Sequence, residues 1–175
     1  MGMEKELLLE RMSIVASIKK GKKKNANCEF YGNYAVFVFK SLKNPIVLRF
    51  LHWILKRETI PKDRIKNVQI RMFPSLKKNG RYLNGKCNSP GEVFLYPKRL
   101  DACRKKSQRL SLKCVREYIR GRALASLIHE RLHLKYGCNE KKVKELTKKY
   151  YSMFNRKHDF EPLNFEKHQE MVFNY

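Results

Sequence analysis

Acidic residues are scarce in this chain. Sixteen Asp and Glu stand against 40 Lys and Arg, which leaves a formal charge of +24 and a pI near 10.0. An imbalance of that size disfavours basic partners and favours polyanions, with nucleic acid first and an anionic membrane surface second. The blander role for the same lysines is surface coating of a stable protein. No recognised nucleic-acid motif accompanies the charge.

Cysteine offers no framework. The five present, Cys28, Cys87, Cys103, Cys114 and Cys138, are odd in number and contain no Cys-x-x-Cys pair. Their spacing argues against a disulfide scaffold and against a zinc ribbon, and it suits a reducing compartment. Long apolar runs are also missing: the densest stretch, Ile46 to Leu55, is interrupted by Arg49 and His52 and is too short for a membrane span. The N-terminus has no signal-peptide core, and Glu6 stands where a myristoylation signal needs Ser or Thr. These absences point to a soluble cytoplasmic protein. No internal repeat or low-complexity domain is present. At 175 residues the chain has the length of one domain, 1–175.

What is there is a His-Glu-x-x-His sequence, His129 to His133, in the apolar run from Ala125 to Leu134. Positions i and i+4 share a helix face, so His129 and His133 are placed to bind one Zn²⁺, with Glu130 between them to activate water. From Leu110 to Tyr136 there is no proline and one internal glycine, Gly121, and Leu124, Leu127, Ile128, Leu132 and Leu134 surround the histidines. Such a helix is buried, and its polar groups require partners.

The rest of the chain reads as alternating elements. Leu7, Leu8, Met12, Val15 and Ile18 predict a helix over Glu4 to Ile18, followed by a solvated basic loop whose Lys19, Lys20, Lys22, Lys23 and Lys24 are candidate phosphate contacts. The β-branched and aromatic run Tyr34 to Phe39 predicts a buried strand. Asn44-Pro45 then caps a backing helix from Ile46 to about Arg57. Asn67 to Phe73 alternates as a strand, Lys77 to Gly80 forms a hairpin-type turn, Arg81 to Cys87 is a third strand, and Glu92 to Tyr96 follows a turn at Asn88 to Gly91. A basic linker leads to the long helix. Gly137 ends that helix, and Asn139 caps one running to about Phe154.

A catalytic zinc needs a third protein ligand. On the last helix Val143, Leu146 and Tyr150 form the apolar stripe, and Glu140 shares that face whereas Glu145 does not. Glu140 is therefore the leading candidate, with Glu145 next and His158 or His168 behind.

The element order together with His129-Glu130-x-x-His133 and the downstream Asn139-Glu140 resembles the zincin metallopeptidases. Within them it is most similar to the minimal gluzincins, whose third ligand is a glutamate on the helix after the motif, and to the SprT-like (Spartan-type) proteins. The resemblance covers about Tyr34 to Phe154. It departs from those families at Arg131, where they place an apolar residue, and at Asn139 or Glu140, where SprT-like proteins use a third histidine.

The resemblance implies an α+β, zincin-like fold with a core over 34–154, flanked by an N-terminal helix and basic loop over 1–33 and a tail over 155–175. Its small mixed sheet has three to four strands, a backing helix, an active-site helix and a following antiparallel helix. It also implies zinc-dependent hydrolysis of a protein or peptide substrate, with Val93, Phe94, Leu95 and Tyr96 offering a strand edge to that substrate. The alternatives are a basic nucleic-acid-binding protein on a catalytically weak zincin fold, or a protease acting on DNA-bound proteins.

Overall fold

Two helix caps and one helix stop, all readable in the sequence, divide the C-terminal half of the chain. Ser111 accepts a hydrogen bond from the Cys114 amide at 3.3 Å and so opens the longest helix. Gly137 closes it at φ 54°, a conformation that costs an L side chain energy. Asn139 then accepts from the Lys142 amide at 3.1 Å and starts the next helix.

The computed structural model describes residues 12–15, 26–64, 66–75, 79–88 and 91–157. In chain order the elements are β1 (Met12–Val15), α1 (Ala26–Leu42), α2 (Pro45–Arg57), a 3₁₀ turn at Lys62–Arg64, β2 (Asn67–Arg71), β3 (Gly85–Cys87), β4 (Glu92–Leu95), α3 (Leu100–Ser107), α4 (Leu112–Tyr136) and α5 (Glu140–Lys157). The fold is mixed α+β, with five helices and one small mixed sheet among the described residues.

The sheet order is β1-β2-β4-β3. β1 and β4 both pair parallel with β2, and β3 pairs antiparallel with β4, setting Gly85 opposite Leu95 and Cys87 opposite Val93. Val68, Ile70, Val93 and Leu95 are buried on one face. The other face carries Gln69, Arg71 and Phe94, with the Arg71 guanidinium 4.9 Å from the Phe94 ring centre. Gly85 and Cys87 share the buried face with their partners, so β3 turns them towards α4.

α4 is the central element, with every residue from Gly121 to Ile128 buried. Leu127, Ile128 and Leu132 are fully enclosed, each a position where truncation to Ala costs about 2–5 kcal/mol. α5 packs against α4 through Val143, Leu146, Tyr150 and Phe154, as its sequence stripe requires. Glu58, just past α2, ties three helices together. It accepts hydrogen bonds from Tyr136 at 2.5 Å and from Tyr150, and its carboxylate lies 3.5 Å from the Lys135 ammonium.

Three readings of the sequence need correction. Tyr34 to Phe39 is helical, inside α1, because Tyr31, Tyr34, Ala35, Val38 and Leu42 make a buried stripe of period 3.6 that outweighs β-propensity. Met12–Val15 is a strand rather than part of a helix, held by its ladder to β2, while the remainder of the expected first helix lies outside the described residues. The basic linker after Pro97 contains α3. The basic loop Lys19 to Lys24 and the tail from residue 158, with His158 and His168, also lie outside the described residues.

Candidate metal centre

Helical geometry puts His129 and His133 on one face of α4, one turn apart. Their Nε2 atoms stand 3.1 Å from each other. The far nitrogen of each ring is occupied. His133 Nδ1 lies 2.5 Å from the Gly137 carbonyl oxygen, which can only accept, so Nδ1 carries the proton. His129 Nδ1 meets Thr147 Oγ1 at 3.4 Å, and the Thr147 hydroxyl already donates to the Val143 carbonyl at 2.7 Å, so here too the imidazole donates. Both Nε2 lone pairs therefore point at one another, an arrangement that repels unless a cation or proton lies between them.

Glu140, the first residue of α5, completes the group. Its carboxylate oxygens lie 3.5 Å from His133 Nε2 and 3.8 Å from His129 Nε2, and all three ligand atoms fall within 4.8 Å of one another. Two atoms bound to zinc at 2.0–2.1 Å with a tetrahedral angle between them sit about 3.3 Å apart, so the observed spacings fit such an ion. The Glu140 side chain is 58 % exposed and also meets the Lys144 ammonium at 3.8 Å, which keeps one side of the group open to solvent. Glu145 is exposed and is not part of the cluster.

Glu130 is only 8 % exposed and its carboxylate lies over β3. A Cβ built on Gly85 would come 2.8 Å from Glu130 Oε1 and Cγ, so only glycine leaves this seat clear. Cys87, two residues along the same face, has its thiol pushed up to about 11 by burial and then by the Glu130 charge, which keeps it protonated beside the carboxylate.

Arg131 occupies a different environment. It is 200° around the helix from His129 and faces away from the metal group. Its side chain is 2 % exposed, and neither Nε nor Nη1 has a hydrogen-bond partner among the described residues. Burial alone pushes its pKa down to about 10, so the guanidinium stays charged inside the core.

β4 lies inside the sheet, with β2 on one side and β3 on the other, so Val93, Phe94 and Leu95 have no open edge to offer a substrate and Tyr96 follows just beyond the strand. That corrects the edge expected from the sequence. Among the described strands the free edge beside Glu130 belongs to β3, Gly85–Cys87.

Sequence reasoning missed Gly85, Thr147 and Gly137 O as parts of the site. Gly85 had a readable signal, a glycine inside a strand pattern, which marks close approach by another group. Thr147 had one as well: it lies on the α5 face that Val143 and Leu146 turn towards α4. No protein-family model, no curated protein and no solved structure matches this chain.

Proposed function

We propose that the chain is a zinc-dependent metallopeptidase of zincin type, with His129, His133 and Glu140 as ligands and Glu130 as general base. The observation that carries this reading is the pair of facing Nε2 lone pairs, each fixed by a bonded Nδ1, with a carboxylate beside them. Zinc held by His129, His133 and Glu140 would supply a Lewis acid for a water and a substrate carbonyl. Glu130 accepts the proton of the attacking water and delivers it to the leaving amine. The outer edge of β3 pairs main chain to main chain with an extended substrate, which lays the scissile bond past Glu130.

Metal analysis of purified, zinc-loaded protein tests the proposal. About one equivalent of zinc is expected in the wild type and none in His129→Ala. A zinc-free wild type, or equal zinc in both proteins, would sink it.

The exposed side of α5 supports a second component. Lys141, Lys142, Lys144, Lys148 and Lys149 all face solvent, the arrangement of a surface that contacts phosphates. A peptidase carrying such a face would meet protein substrates already bound to nucleic acid. Affinity for duplex DNA should then fall linearly on a log-log salt plot, and no binding at low salt returns the lysines to surface coating.

A further inference from the structure

A second polar cluster sits on the N-terminal half of α4, apart from the metal group. Arg122 is 5 % exposed, and its guanidinium is held entirely by neutral acceptors: Nη1 donates to the Tyr96 carbonyl at 2.9 Å and to Tyr34 Oη at 3.3 Å, and Nη2 donates to Asn84 Oδ1. One turn along, Ser126 is 2 % exposed and its Oγ has no hydrogen-bond partner among the described residues. Both side chains line a small recess, open on one side, together with Tyr34, Asn84 and Tyr96 and an apolar floor that includes Ile70 and Leu95. Its interior admits a water-sized sphere.

The electrostatics around this cavity are one-sided. The charges of Arg122 and Lys106 both act on Lys98, whose ammonium is held below its ordinary pKa first by burial and then by those two cations. Lys106 itself lies 4.3 Å from the Tyr118 ring centre and takes no carboxylate partner among the described residues. The buried Cys103 thiol next to them is pushed up by burial and cannot serve as the missing anion. Tyr34 likewise stays a neutral phenol: burial raises it more than Arg122 lowers it. Its oxygen already accepts from Arg122, so its own hydrogen is left to donate.

A buried guanidinium held by neutral acceptors, a hydroxyl without a partner among the described residues and a phenol line the recess, and no carboxylate is among its lining residues. Uncompensated buried charge costs several kcal/mol in order-of-magnitude terms, and an ion of opposite sign removes that cost. We propose that the cavity under Arg122, Ser126 and Tyr34 binds one small inorganic monoanion of chloride size. Larger oxyanions are disfavoured by the small interior, and a cation is disfavoured by the buried Arg122 guanidinium in its wall.

The test is thermal unfolding of the full chain at fixed ionic strength, with chloride exchanged stepwise for gluconate, which is too bulky to enter. Fixed ionic strength separates site binding from general screening of a protein this basic. The wild type should gain about 3 °C or more in chloride, with a saturating dose dependence. In Arg122→Met and in Ser126→Val the two salts should give the same midpoint to within about a third of that shift. Ser126→Val changes no charge and keeps the test decisive if Arg122→Met fails to fold. Equal wild-type midpoints in the two salts would overturn the proposal, as would a chloride effect that survives Ser126→Val undiminished.

Discussion

The two faces of α4 treat charge in opposite ways. Towards α5 and the sheet, His129, Glu130 and His133 have neighbours suited to them: a threonine hydroxyl, a carbonyl, a glycine seat and a second carboxylate. On the far face Arg131 is buried with two nitrogens unserved among the described residues. The first face spends polar groups to hold a geometry; the second carries a cation with no visible return in stability. The difference teaches that burial alone does not mark a functional residue, whereas burial together with complementary outer partners does.

The sharpest way to break that contrast is Glu130→Gln. If the carboxylate moves protons and binds no metal, peptide hydrolysis should fall about 10³-fold while zinc content and unfolding midpoint stay put. Loss of zinc in this variant would reassign Glu130 as a ligand.

Next in size is the ligand test. Glu140→Ala should weaken zinc binding by more than the roughly 100-fold that loss of an outer partner costs, Thr147→Val by roughly 10-fold, and Glu145→Ala not measurably. Competition with a chromophoric chelator reads all three, and equal affinities for Glu140→Ala and Glu145→Ala would dissolve the proposed ligand set.

Glu58 extends the comparison to a charge that is fully served. Burial would raise its carboxyl, but hydrogen bonds from Tyr136 and Tyr150 and the Lys135 ammonium hold it below the ordinary value of 4.5. Stability from such a group is present above 4.5 and is lost as pH falls through the lower, folded value. Glu58→Ala should therefore cost roughly 3 kcal/mol at neutral pH, and the gap from wild type should close in acid. A gap that stays constant from pH 7 to strongly acid conditions would mean that the carboxylate charge contributes nothing.

The smallest expected effect has the opposite sign. Arg131→Met should stabilise the fold by about 1–2 kcal/mol in urea unfolding, because an apolar chain of similar length replaces a buried charge with two nitrogens unpartnered among the described residues. A loss of stability would show that the guanidinium is better satisfied than its surroundings indicate.

The candidate centre was legible in the sequence to the extent that it is local. His129 and His133 follow from helical spacing, and Glu140 from the phase of Val143, Leu146 and Tyr150 across a short turn. Gly85 was legible only as a glycine inside a strand pattern, since nothing within the motif says which strand will pass beneath Glu130. The fold was legible where period and propensity agree, as in α2, β2 and β4. It was misread where they conflict: Tyr34 to Phe39 has the composition of a strand and the spacing of a helix, and burial of the 3.6-residue stripe decided the outcome. β1 was misread for the converse reason, since its ladder partner on β2 lies far along the chain.

The helical hairpin formed by α4, the Gly137 turn and α5 has a kinetic consequence. Every proposed ligand, and both groups that orient the imidazoles, belong to that hairpin, whereas the seat of Glu130 belongs to a strand far upstream. Closing a short loop between adjacent helices is quick, and assembling a mixed sheet from distant segments is slow. The hairpin that carries the proposed ligands can thus form before the sheet is complete, so that the ligand set is assembled while the Glu130 carboxylate still awaits β3.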